Sequence, residues 1–278
     1  MSRTTLSLRS TSRRTLLAMM AAVSAFGLTM ASGAAQAEEK TVKVGIISGE
    51  DEDVWKVVTA EAAKSGLAIE TVVFNDYTQP NEALERGDID ANAFQHKPYL
   101  DAQIQSQGYK IVPAGYTAVW PIGLYSRKVD SVAALGEGSV VGVPNDPSNE
   151  GRALKLLEAQ GLIKLKDGTG ILATPADIAE NTRKIEIKEL DAGIIGRSVD
   201  DLDAAVVNTD WALKSGLKAD EDRIAQEAVA DNPYRNFIAV RTGEENEPWV
   251  KSLVAAYQNP VVKAEFERVY KGTGIPAY

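Results

Sequence analysis

From residue 41 onward the chain alternates short β-branched runs with helical spacing, and this alternation restricts its fold more than any other feature. Residues 41–48 (TVKVGIIS), 67–74 (LAIETVVF) and 89–94 read as strands, whereas 51–65 and 81–86 read as helices. Strand, helix, strand, helix, strand is the pattern of a parallel α/β layer with right-handed crossovers. At 110–126 (KIVPAGYTAVWPIGLYS) the texture becomes extended, and Pro113 and Pro121 exclude a helix interior. A second series follows, with strands at 140–143, 185–187 and 204–207 and a helix at 149–160 carrying Leu154, Leu156 and Leu157. Another extended run, 234–241 (YRNFIAVR), precedes helices at 248–257 and 261–270. Two α/β series joined by two extended crossings predict two lobes around a ligand cleft, with 38–125 plus 236–278 as lobe 1 and 126–235 as lobe 2. Clefts of this kind favour small molecules, and hinge closure is the expected motion. The alternative is one larger domain with 110–126 inside a single sheet.

Residues 1–37 stand outside that pattern. Arg3, Arg9, Arg13 and Arg14 form a basic front, no charge occurs from Thr15 to Ala37, and Ala35-Gln36-Ala37 places small residues at a cleavage position. The expectation is a signal peptide removed after Ala37. An uncleaved span is the competing reading, disfavoured by the Ala, Gly and Ser content. Arg13-Arg14 also fits a twin-arginine signal, although Leu16 and Ala18 depart from it. With no cysteine in the sequence, a lipid anchor on an N-terminal cysteine has no attachment point. A periplasmic protein without a direct membrane anchor after cleavage is therefore expected.

Losing four arginines shifts the formal charge from −9 to −13, which opposes nucleic-acid binding. A single histidine and no cysteine exclude a disulfide framework, a zinc knuckle and a thiol nucleophile. Neither a G-x-S-x-G elbow nor a phosphate loop occurs, and GEGSVVG at 136–142 precedes a strand, so it reads as a turn. His96 with Ser148 and an aspartate could form a triad, but no spacing requires it. No enzyme activity, metal or cofactor is expected.

The polar and aromatic clusters lie at turns. NDYTQPN at 75–81 offers Asp76, Tyr77 and Asn81, and FQHKPYLD at 94–101 places Phe94 at a strand end with His96 and Tyr99 at a helix start. Aromatics at the carboxyl end of a parallel strand would face the crevice, although each could equally be core, and His96 a cap. In PNDPSNEGR at 144–152, Asn145, Asp146, Ser148 and Asn149 are all capable of capping the following helix. Arg152, expected in its first turn, opposes the helix dipole and calls for an anion. A ligand carboxylate would serve, as would Glu150 or a surface acid.

Together these segments resemble the methionine-binding proteins of bacterial ABC importers, the MetQ/NlpA lipoprotein family. The resemblance rests on NDYTQPNEAL (75–84), GDIDANAFQHKPYLD (87–101), PIGLYS (121–126), VPNDPSNEGRALKLLEAQGLIKL (143–165) and DNPYRNFIAVR (231–241). It implies a two-lobed periplasmic-binding fold that closes over methionine, L or D, and delivers it to a permease with its ATPase; another amino acid or a short peptide is the alternative cargo. By the same resemblance Arg152 holds the ligand carboxylate, Tyr77, Phe94, His96 and Tyr99 enclose the side chain, and Asn149 and Asn208 bind the amino-acid backbone. Burying a methionine-sized side chain supplies roughly 1.5–3 kcal/mol, short of the roughly 4.1 kcal/mol of millimolar binding, so the carboxylate clamp is essential. Three departures stand out: the missing lipobox cysteine, GIIGR at 193–197 where an LPR-like segment is usual, and Asp210-Trp211 where Asn-Tyr is common. Asp210 could add an acceptor for a ligand ammonium.

Overall fold

The structure is a computed structural model that describes residues 41–278 together with Met1. Signal cleavage after Ala37 and twin-arginine export concern residues outside those described. The first sheet contains β1 (Thr41–Ile47), β2 (Ala68–Phe74), β3 (Ala91–His96), β4 (Ile111–Tyr116) and, from far along the chain, β13 (Asn236–Arg241). Its order is β2-β1-β3-β13-β4. Helices α1 (Glu50–Ala63), α2 (Gln79–Arg86) and α3 (Lys97–Gln107) alternate with the early strands as the periodicity predicts. The chain leaves α2 and α3 through Gly87 and Gly108, whose φ values of 79° and 75° are left-handed helix ends that cost a Cβ-bearing residue strain.

The extended crossing at 110–126 resolves into β4, β5 (Ala118–Val119) and β6 (Gly123–Tyr125). Pro113 sits in β4, an edge strand where its missing N–H is tolerated. The second sheet joins β6 to β7 (Val140–Pro144), β10 (Glu186–Leu190), β11 (Ala204–Val207) and β12 (Arg223–Gln226) in the order β10-β7-β11-β6-β12. Gly123–Tyr125 therefore belongs to the second sheet, so the expected lobe boundary after residue 125 falls on the wrong side of this strand. Around this sheet lie α4 (Pro147–Ala159), α5 (Ala192–Ile195) and α6 (Thr209–Lys214), with a small β8 (Lys164–Leu165) to β9 (Ile178–Glu180) ladder. Helices α7 (Pro248–Tyr257) and α8 (Pro260–Tyr270) return to the first sheet, and β14 (Ile275–Pro276) pairs with β5.

Each five-stranded sheet holds four strands running one way and one reversed strand, and the connectivity explains the reversal. β13 runs antiparallel to β3 and β4, and β6 antiparallel to β11 and β12. Both are strands by which the chain arrives from the other lobe. They start at the cleft edge, where the parallel strands end, and so run the opposite way. The architecture is a two-lobed α/β fold. Val54, Trp55 and Val58 of α1 join Phe266 and Tyr270 of α8 in one core, while Leu154 and Leu157 of α4 pack with Val141, Val143 and Val206 in another. Each such buried Leu or Val contributes about 1.5–3 kcal/mol.

Helix α4 begins at Pro147 because Asp146 is its cap, accepting from the Asn149 N–H at 3.0 Å. Arg152 is thus in the second turn, not the first, which weakens the dipole argument made from the sequence. Burial supplies a stronger reason for an anionic partner: Arg152 is 3% exposed.

Candidate functional site

The carboxyl ends of β1 and β3 face the start of α4 and α6 across a cavity of about 670 Å³, counting its open mouth. Tyr77, Phe94, His96, Tyr99, Asn149, Arg152 and Asn208 all line it, so the structure brings these seven together, whereas Asp76 and Asn81 of the same clusters lie outside its lining. Size and lining are those of a small-molecule site.

On the first-lobe side the wall is aromatic. Tyr77 lies 5.9 Å from Phe94, 6.1 Å from Tyr99 and 5.4 Å from Trp211 between ring centroids, and Phe94 meets Tyr99 edge-on at 5.7 Å. The Tyr99 hydroxyl donates to the Tyr77 carbonyl at 2.7 Å, locking the two rings together. Tyr77 in turn donates to both carboxylate oxygens of Asp210, at 2.6 and 2.7 Å, across the cleft. That contact places Asp210 in the site, although its carboxylate is already committed to a protein donor.

His96 is both the cap of α3 and a wall residue. Its Nδ1 accepts from the Tyr99 N–H at 3.2 Å, so Nε2 carries the proton and donates to Asn149 Oδ1 at 3.2 Å. Burial first, then the Arg152 charge, pushes its pKa down to about 3, keeping the ring neutral at physiological pH. With both nitrogens engaged, its geometry is that of a positioning group. Asn149 Oδ1 also accepts from Asn208 Nδ2 at 3.1 Å, and Asn149 Nδ2 donates to Asp146 at 2.9 Å. Asn208 Oδ1, by contrast, is buried without a hydrogen-bond partner although the residue is only 7% exposed. A buried acceptor left open in a cavity wall is costly unless a ligand donor meets it.

Arg152 has a protein anion, and it is neither Glu150 nor a surface acid. Nε donates to Glu227 Oε2 at 2.9 Å, Nη2 pairs with Glu227 Oε1, and Nη2 also donates to the Trp120 carbonyl at 2.9 Å. Glu227 is held in turn by Asn232 Nδ2 at 2.9 Å and the Ile122 N–H at 3.1 Å. The guanidinium carbon stacks 4.2 Å over the Tyr234 ring. Nε and Nη2 are thereby fixed, leaving Nη1 for an acceptor in the cavity. Glu150, the partner considered from sequence, instead faces Glu189; burial and that second carboxyl push its pKa up to about 8.

Sequence reasoning missed Glu227 and Tyr234, which fix Arg152, and Asp51, Trp120, Asn236 and Tyr270, which also line the cavity. Glu227 lies 75 positions from Arg152 and in no motif. Asn236 stands in the YRNFIAVR run read as a strand, and its Nδ2 donates to the Phe94 carbonyl at 2.9 Å. The strand assignment placed it at the cleft edge, which was the available clue.

Comparison with known proteins agrees with this architecture. The model of the NlpA lipoprotein family matches residues 42–278. The D-methionine-binding lipoprotein MetQ of Salmonella typhimurium is 48% identical over 240 residues, covering 85% of this chain and 88% of that relative. Outer membrane lipoprotein 3 of Mannheimia haemolytica is 44% identical over 264 residues, covering 95% and 99%. Among solved structures, a nutrient-binding protein from Burkholderia cenocepacia bound to methionine superposes with a TM-score of 0.83 at 51% identity, covering 85% of this chain and all of that one. The crystal structure of the methionine-binding protein MetQ gives 0.82 at 46%, covering 86% and 98%. With the family model spanning the described α/β fold, the chain belongs to the NlpA lipoprotein family.

Proposed function

We propose that this protein captures methionine in the cleft between its lobes and delivers it to the permease of an ABC importer with its ATPase. The observation that carries the reading is the meeting, in one cavity, of a buried guanidinium, an open amide acceptor and an aromatic wall. Arg152 Nη1 takes the ligand carboxylate, Asn208 Oδ1 accepts from the ammonium, and Tyr77, Phe94 and Tyr99 enclose the thioether, whose contact with each ring adds about 0.3–1.5 kcal/mol. Asn149 and His96 hold Asn208 and the rings in place. The relatives described as methionine-binding, and the neighbour solved with methionine, support the choice of ligand. Neighbours described as binding proteins likewise support capture without turnover.

The working form begins after Ala37 and resides in the periplasm, as the basic front and uncharged stretch of residues 1–37 suggest. Relatives are described as lipoproteins, yet this sequence carries no cysteine for a lipid, so release as a free protein is the proposal. Lobe 2 is taken as the segment from β6 through residue 235.

Calorimetry on residues 38–278, unfolded and refolded to strip co-purified ligand, tests this. One methionine per chain is expected, with no product by mass spectrometry. Silence toward L- and D-methionine would overturn the ligand assignment, and turnover lost in His96→Ala would replace binding by catalysis.

A further inference from the structure

Beside the aromatic residues the cavity lining also holds an acidic group. Asp51, in the first turn of α1, and Asp210, in the first turn of α6, come from the two lobes and line the same space. Asp51 Oδ1 is shut off from solvent with only Trp55 and Tyr270 as donors near its carboxyl, and Asn208, at the N-cap position of the helix carrying Asp210, presents an unpartnered buried oxygen. An open amide acceptor beside two carboxyl groups forms a surface that lacks a free cation among the described residues. We infer that this surface receives the ligand's ammonium group in exchange for a proton held by Asp51. The inference rests on the amino-acid-binding reading above and adds a linked ion to it.

The surroundings explain why a proton resides there first. Burial, then the Asp210 carboxylate, pushes the Asp51 pKa up to about 8, outweighing Trp55 and Tyr270, which favour its ionised form. Glu52 and Glu50 on α1 add negative charge, and Tyr257 and Tyr270 on α7 and α8 are held neutral by burial. Asp210 is raised mainly by burial and is bonded to Tyr77; the nearest cation on its helix, Lys214, reaches Ser48 and Asn75 instead. Arg152 is paired with Glu227. An entering ammonium supplies the missing charge: the Asp51 O–H bond breaks, its electron pair stays on the carboxylate facing the ammonium, and the proton leaves to solvent.

Because the ligand-free form holds the proton, affinity should rise with pH and level off near 8, by at most tenfold per pH unit. Methionine titrations at pH 6.5 in phosphate and in an amine buffer of high ionisation enthalpy should differ by nearly one released proton per ligand. Asp51→Asn should abolish that difference, and the α-hydroxy analogue of methionine should bind without it. Methionine binding with no buffer dependence, or proton release that persists in Asp51→Asn, would overturn the inference. If methionine does not bind at all, the functional reading falls; carbon-13 titration of the Asp51 carboxyl in the ligand-free protein still decides the proton. A midpoint near 8 upholds it, and one near 4 refutes it.

Discussion

The two walls of the cleft are built on different principles. The first-lobe wall is a set of rings, Tyr77, Phe94 and Tyr99, that hold one another by stacking and a single hydroxyl bond. The second-lobe wall is a polar chain through Asn149 and Asn208, met by His96 from the first lobe, beside an arginine tied to Glu227, Trp120 and Tyr234. Rings tolerate loss because dispersion is shared among many contacts. A buried charge does not, because one missing partner exposes the full desolvation cost. The polar wall should therefore dominate both affinity and stability, and the aromatic wall should tune them.

The largest effect is expected from Arg152→Ala. It removes the carboxylate donor and strands Glu227, a loss of about 3–5 kcal/mol, hundreds-fold or more in methionine affinity, with a lower melting temperature. Unchanged affinity by calorimetry would make Arg152 a purely structural cation and dissolve the contrast. Glu227→Gln separates the two roles. It removes charge-assisted bonds of about 1.5–3 kcal/mol and should lower thermal stability, yet it frees Arg152 from its competing anion. Affinity should stay within a few-fold or improve, and a loss as deep as that of Arg152→Ala would mean that Glu227 itself positions the ligand.

The same contrast governs what the sequence disclosed. Elements with periodic apolar patterns were legible: 204–207 and 248–257 coincide with β11 and α7, because core packing and local pattern agree there. Phe94, His96, Tyr99 and Asn149 were legible because they sit at a strand end or helix start, where a parallel sheet opens its crevice, whereas Arg152 lies a turn inside α4 and Asn208 came from the family resemblance alone. Long-range polar partners were not. Nothing local to Arg152 points to a glutamate just after β12, and the helix start was misplaced by two residues because Asp146, rather than a later candidate, took the cap. The reversal of β6 and β13 likewise follows from chain crossing, which periodicity does not encode.

A smaller effect should come from the aromatic wall. Phe94→Ala removes one ring contact and part of the apolar slot, about 1–2 kcal/mol or roughly tenfold in affinity, with the carboxylate clamp intact. Methionine analogues without sulfur should then lose less than methionine does on the same change. A loss exceeding that of Arg152→Ala would invert the order of the two walls.

The smallest effect lies where the walls meet, at His96, and its sign follows from linkage. The folded pKa of about 3 is below the ordinary value of 6.5, so between these values the unfolded chain binds the proton that the folded ring refuses. The stability this neutral ring contributes is present above pH 6.5 and declines as pH falls toward 3. Melting temperatures of the ligand-free protein should therefore drop across that window, and His96→Gln, which keeps a polar cap but cannot titrate, should flatten part of the decline. Identical acid limbs in the two proteins would mean that His96 is charged in the folded state, and the neutral hinge between aromatic and polar walls would have to be abandoned.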